Sequence, residues 1–186
     1  IEKRLTSSFR ITTMITSVAA IAAILVLLII SSRYTYALRY FGFAQGDIGQ
    51  AIILFTDARG DTRAIVGYDD QSVISNLVSQ FDEDKEGFTS KWKEVEAVLV
   101  TDETKSTYQT INDKLQDYWA LNEEIIELGK TVSDKASRQQ AQSKALNELA
   151  PAYEEIDSLM NELLNEKTSR GESLDNTLNI TTYILV

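Results

Sequence analysis

An all-α fold is what this sequence predicts: a membrane helix continuous with an up-down-up-down four-helix bundle, then the start of a second membrane helix at the C-terminus. Three observations predict it. Residues 11–32 carry no charged side chain over 22 positions. From residue 41 onward, apolar residues recur at heptad spacing in four successive stripes. Only 1 proline and 8 glycines occur in 186 residues, so little interrupts long helices. No stretch alternates with period two, and no strand is assigned.

Composition removes whole classes of function. The chain holds 18 Lys+Arg against 28 Asp+Glu, a net charge of −10. Residues 1–40 hold Lys3, Arg4, Arg10, Arg33 and Arg39 against Glu2 alone, a local +4 that leaves −14 on the rest. An acidic body repels phosphate backbones, so no nucleic-acid partner is expected. The absence of histidine excludes Ser-His-Asp relays, imidazole acid–base chemistry and zinc–histidine sites. The absence of cysteine excludes disulfides, thiolate nucleophiles and Cys-ligated metals. The expectation is a protein that is not an enzyme, with no catalytic residue, no cofactor and no metal.

Residues 1–10, with Lys3, Arg4 and Arg10, form a basic N-terminus read as cytoplasmic. Residues 11–32 follow as the first membrane helix, and at 1.5 Å per residue they span roughly 33 Å, about one hydrocarbon core. Arg33 and Arg39 follow it, so the positive-inside bias, three bases against two, places the N-terminus in the cytoplasm. A cleaved signal peptide is the rival reading, but signal h-regions run to about 7–15 residues. Residues 178–186, LNITTYILV, turn apolar and uncharged again. They read as the start of a second membrane helix, so the chain is expected to be part of a larger multi-pass protein of the cell membrane. Residues 33–177 would then form an extracytoplasmic domain.

That domain is built of four stripes. Phe41, Ile48, Phe55 and Thr62 fall seven apart, with Ile52 and Val66 alongside. Ile74, Phe81, Phe88 and Val95 repeat the pattern, joined by Leu77, Trp92 and Leu99. The third stripe is Ile111, Tyr118, Ile125 and Val132, interleaved with Tyr108, Leu115, Leu121 and Leu128. The fourth runs Leu149, Ile156 and Leu163, with Tyr153, Leu159 and Met160. Short breaks at residues 67–70, 101–103 and 132–134 each carry an Asp or Thr able to cap the next helix. An even number of helices returns the chain to the side it left, in agreement with two membrane spans. The first and fourth helices are expected to continue into them.

Several local features have a functional and a plain reading. Gly42, Gly46 and Gly49 have the small-residue spacing that permits close helix approach, or mark a juxtamembrane turn. Pro151 cannot donate to the helical ladder, so the fourth helix should kink or restart there. Asp82-Glu83-Asp84 and Glu154-Glu155-Asp157 lack calcium-loop spacing and read as solvated helix faces. Asn179-Ile180-Thr181 matches a glycosylation acceptor at the membrane edge. Trp92 and Trp119 read as bundle core. Arg59 and Arg63 are different. They stand four apart on the first helix, and Arg59 lies on the line Ile52–Arg59–Val66, along the apolar seam. Arginine at a seam is costly unless an anion meets it. Its planar guanidinium offers paired donors to a carboxylate, and a second one a turn away completes a clamp. The two are therefore candidate ligand-binding residues. The alternative is internal pairing with Asp57, Asp61 or an acid on a neighbouring helix.

Basic N-terminus, membrane span, acidic bundle and second span, in that order, resemble the sensory front of a methyl-accepting chemotaxis protein of the four-helix-bundle sensor class. The local elements carrying the likeness are KRLTSSFRI before the span, DARGDTRAIVGYDD ending the first helix, and ALNELAPAYEEID on the fourth. The resemblance implies a homodimer that senses a small-molecule ligand and passes a helix displacement through the second span. Cytoplasmic modules that engage a kinase and its adaptor would follow. In aspartate- and serine-sensing members, arginines near the distal end of the first helix grip the ligand's α-carboxylate at the dimer interface, and Arg59 and Arg63 match two of those positions. Gly67 stands where those members keep a further arginine, so ligand identity stays open. Two other functions compete: the sensor half of a histidine kinase or cyclic-dinucleotide enzyme, and a membrane-tethered structural bundle that binds a protein partner.

Overall fold

The computed structural model describes residues 2–185, with the side chains of residues 2–8, 41, 43–45 and 175–185 excepted. Helix α1 (Glu2–Ala37) and helix α2 (Phe43–Gly67) run on from one another through a π-helical turn, Leu38–Gly42. Helices α3 (Gln71–Glu96) and α4 (Asp102–Gly129) follow. A second composite rod is made of α5 (Lys135–Lys144), a π-helical turn Ala145–Leu149, and α6 (Ala150–Leu185). Among the described residues there is no strand. Helices α2, α3, α4 and α5–α6 are the four members of the bundle. The part of the second membrane helix expected at 178–186, including Asn179-Ile180-Thr181, lies outside the described side chains.

Phe9–Tyr40 is the one helical stretch among the described residues that is long and apolar enough to cross a membrane; its most apolar 18 residues have mean hydropathy 2.7, and none of those is buried. Ile24 and Leu28 are 56% and 62% exposed. Bare aliphatic side chains along a whole helix are what a lipid-facing segment requires, because lipid rather than protein removes them from water.

Capping follows the local sequence. The Asp70 carboxylate accepts from the Ser72 and Val73 backbone N–H at 2.8 and 3.3 Å, opening α3. These bonds hold its pKa below the usual carboxylate range, the Ser72 hydroxyl contributing most. Thr101 forms a reciprocal capping box with Thr104 on α4, and Asp134 accepts from Ser137 N–H at 3.1 Å on α5. Each satisfies a donor that the first helical turn leaves without an intrahelical partner. Pro151 has no N–H to offer the carbonyl of Asn147, and Asn147 lies within the π-helical turn, where Ala150 N–H reaches back five residues to Ala145. The expected disturbance is thus a local widening, and the helix continues through it.

Among the described side chains, all four stripes point inward. Ile48, Phe55, Thr62, Ile74, Val95, Ile111, Ile125, Ile156 and Leu163 are fully excluded from solvent, and Phe81 and Phe88 nearly so. The two ends of the bundle are closed by buried cations on backbone carbonyls. At the distal end, Arg138 donates to Gly129 O at 2.6 Å and to Ile65 O and Val66 O at 3.3 Å. One guanidinium therefore serves the C-termini of both α2 and α4, where the helix dipole favours positive charge. At the other end, buried Lys167 on α6 donates to Val98 O at 2.7 Å in the α3–α4 connection, and reaches Tyr40 O in the first π-helical turn at 3.5 Å. Burial pushes its pKa down.

The distal closure fixes a spacing that can be tested. A Cβ on Gly129 would lie 2.8 Å from Val66 Cγ1. Alanine there gains up to about 1 kcal/mol in helix propensity, but overpacking costs roughly 1–3 kcal/mol. Gly129→Ala should therefore be net destabilising in chemical denaturation, and truncating the neighbour in Gly129→Ala/Val66→Ala should recover part of the loss.

Candidate functional site

The site grows out of an aromatic cluster at mid-bundle. Phe55 on α2 meets Phe88 on α3, Tyr118 and Trp119 on α4, and Tyr153 on α6, with ring centroids 4.8–5.8 Å apart. The Tyr153 ring stacks on Phe55 at 5.0 Å and 8°. Its hydroxyl lies 2.9 Å from Thr56 Oγ1, which fixes its orientation. One turn up α2, Arg59 lays its guanidinium on that ring, Cζ 3.8 Å from the centroid. A cation over an aromatic face contributes about 0.5–2 kcal/mol. The edge of the same guanidinium donates from Nη2 to Glu154 Oε1 at 3.1 Å. The Arg59 side chain is 19% exposed and that of Glu154 is 68% exposed, so this ion pair alone is worth at most about 1 kcal/mol.

Arg63 is exposed and has no ion pair or side-chain hydrogen bond among the described residues. With Arg59 and Val66 it forms one wall of a cleft of about 290 Å³, and Gln142, Leu146 and Leu149 form the opposite wall. Gln142 spans the cleft's inner end, donating to Val66 O at 2.8 Å. Leu146 is 73% exposed, projecting from the second π-helical turn. The cleft thus carries two guanidinium groups over an aliphatic floor, and no carboxylate is among its lining residues.

Two polar features lie beneath this wall. Thr62 donates to Asn122 Oδ1 at 2.8 Å, and Asn122 donates to Tyr118 O at 2.8 Å, a satisfied pair fully inside the core. Burial pushes the Tyr118 phenol far above its usual pKa, with Asn122 and then Arg59 opposing. On the far face of α2, Asp61 lies against Asp84 of α3, and Asp61 Oδ2 is buried without a hydrogen-bond partner among the described residues. Burial, followed by repulsion from Asp84 and Asp57, raises Asp61 to about 6.

The sequence placed Arg59 on the seam and Arg63 one turn along, and both line the cleft. Neither Asp57 nor Asp61 pairs with Arg59; its partner is Glu154 on α6. Sequence reasoning missed Tyr153 as the ring beneath Arg59, Glu154 as its partner, Arg138 as the distal closure, and the Asp61–Asp84 approach. Tyr153 carried one legible signal, its place on the fourth apolar stripe, whereas Glu154 read only as part of a solvated helix face.

A helix long and apolar enough to cross a membrane runs directly into a four-helix bundle with a side cleft. The family model described as "four helix bundle sensory module for signal transduction" matches residues 1–180. The chain belongs to that family, the sensory module of methyl-accepting chemotaxis proteins. No curated protein and no solved structure matches it.

The raised Asp61 pKa gives a signed prediction. Between its unfolded value near 3.8 and its folded value of about 6, the native state binds more protons than the unfolded chain. Stability from this group therefore falls as pH rises through that window, and the full penalty stands above it. Discounted for solvent screening, the penalty is on the order of 1 kcal/mol. Asp61→Asn should stabilise the bundle at pH 7.5 and give no gain at pH 3.5, measured by urea denaturation of both proteins across pH.

Proposed function

We propose that this chain is the extracytoplasmic ligand-sensing and transmembrane part of a bacterial chemoreceptor, in which Arg59 and Arg63 bind a small anionic solute. Residues 11–32 span the plasma membrane, residues 33–177 sense, and residues 178–186 begin the return span. Helix α6 then carries a displacement toward a cytoplasmic module that controls a kinase through its adaptor. The observation that carries the reading is the pair of guanidinium groups on one wall of an apolar-floored cleft, with Arg63 making no ion pair among the described residues. An unpaired guanidinium beside a cleft supplies the bidentate donors that a carboxylate fits.

The receptor works as a homodimer, and the outer face of α2 supports that assembly. Gly42, Gly46, Gly49, Ile53, Thr56, Gly60, Arg63 and Gly67 follow one another at alternating spacings of four and three, a second heptad seam beside the buried one. A Cβ added at Gly46, Gly49, Gly60 or Gly67 would meet no heavy atom within 4 Å, and Ile53 is 60% exposed. A face that is smooth, heptad-spaced and interrupted by one bare isoleucine suits close packing against its two-fold mate. This seam contains Arg63, so the cleft would open at the subunit boundary.

Two measurements test the proposal. A thermal-shift screen of acetate, benzoate, malate and aspartate should find an anion that stabilises the wild type, by about 2.7 kcal/mol at one hundred times its dissociation constant. Arg59→Ala and Arg63→Ala should each abolish that gain; an equal gain in the double variant would remove both residues from the site. For assembly, Ile53→Cys should cross-link between subunits in membranes, and Gln116→Cys on α4 should not. Failure at Ile53, with neighbouring seam positions also silent, would exclude an α2-to-α2 dimer.

A further inference from the structure

We propose that Glu154 is an internal competitor for the anion site, a carboxylate that holds Arg59 when the cleft is empty and yields it when a solute carboxylate arrives, thereby releasing α6 from α2. This inference rests on the reading of Arg59 and Arg63 as the anion site. It adds the device that turns occupancy into a mechanical change.

Two contacts already engage the Arg59 guanidinium. Its flat face is taken by the Tyr153 ring at 3.8 Å, and its free edge is taken by Glu154 Oε1 at 3.1 Å. A carboxylate that enters on the edge held by Glu154 shares or replaces that contact. Glu154 suits replacement because it is 68% exposed and water receives it at little cost. It makes no other ion pair among the described residues. The acids beside it are differently engaged: Glu155 pairs with Lys114 at 2.8 Å, and Asp157 Oδ1 accepts from the Tyr153 hydroxyl at 3.4 Å. Neither is placed to take over Arg59.

The exchange is carboxylate for carboxylate, so the charge on Arg59 stays matched while the covalent attachment of its partner changes. Before exchange, the ion pair ties α2 to α6 just after the π-helical turn Ala145–Leu149. Afterwards the same guanidinium is tied to a free solute, and α6 keeps its apolar seam and the contacts of Tyr153 with Thr56 and the Arg59 face, but no ion pair to α2 at that level. Helix α6 is continuous from Ala150 to Leu185, so a loosened tie at its head acts on the whole rod. The solute needs only to bind the untied arrangement better than the tied one.

Glu154→Gln in the full chain, reconstituted in nanodiscs, tests this, with Glu155→Gln as control and benzoate and malate as probes. Isothermal titration should show Glu154→Gln binding at least one probe up to about fivefold more tightly than wild type, the affinity expected back when a weak exposed competitor is removed. Glu155→Gln should bind like wild type. Hydrogen exchange over residues 150–160 should rise in anion-free Glu154→Gln, and to the same extent in wild type saturated with the probe. If wild type binds and Glu154→Gln binds equally or more weakly, or if exchange does not rise, the competitor role is wrong and the anion site stands. If neither protein binds either probe, the anion site itself falls, and the competitor with it.

Discussion

Everything at the site depends on one ring. Phe55 is fully buried on α2 and touches an aromatic side chain from each of the other three bundle members. Aromatic pairs add about 0.5–1.5 kcal/mol each beyond their buried area, so this cluster sets how α2, α3, α4 and α6 approach one another at mid-height. Tyr153 can stack on Phe55 only if α6 is in this register against α2. Arg59 can lie on Tyr153 only if that stack is made. The orientation of a surface-facing cation is therefore fixed by core packing two layers below it.

The bundle's ends follow a different rule. Both are closed by cations on backbone carbonyls, Arg138 at one end and Lys167 at the other. Taking an ammonium out of water is unfavourable, which is why the Lys167 pKa falls. Carbonyl groups left over at a turn and at a π-helical widening offset that cost. Between these two fixed ends, the α2–α6 interface is held by apolar contacts, the Thr56–Tyr153 hydrogen bond, the Arg59–Tyr153 stack and one exposed ion pair.

The fold was legible because its determinants are local. Heptad spacing gave four inward faces, and Asp70, Thr101 and Asp134 marked the helix starts that the structure confirms. Arg59 was legible as an arginine on an apolar line. Its surroundings were not, because they lie about 95 residues away on α6, and a heptad pattern fixes which face is buried without fixing which partner residues meet at a given height. Arg138 failed for the same reason: in sequence it is one cation in a polar stretch, and only the convergence of two helix ends gives it carbonyls to serve. Asp61 carried no sequence signal at all, since an Asp on the flank of a seam is ordinarily solvated.

The central claim is that an anion held by the α2 arginines changes the position of α6 relative to the rest of the bundle. Spin labels at Ser79 on α3 and Ser169 on α6, two exposed positions separated along the bundle, read that displacement directly in the full chain in nanodiscs. Adding an anion that binds should shift the inter-label distance by roughly 1–2 Å, the scale of helix movements in switching proteins, and Arg63→Ala should abolish the shift. An unchanged distance distribution at saturating anion would contradict the account, because occupancy of the cleft would then be silent along α6.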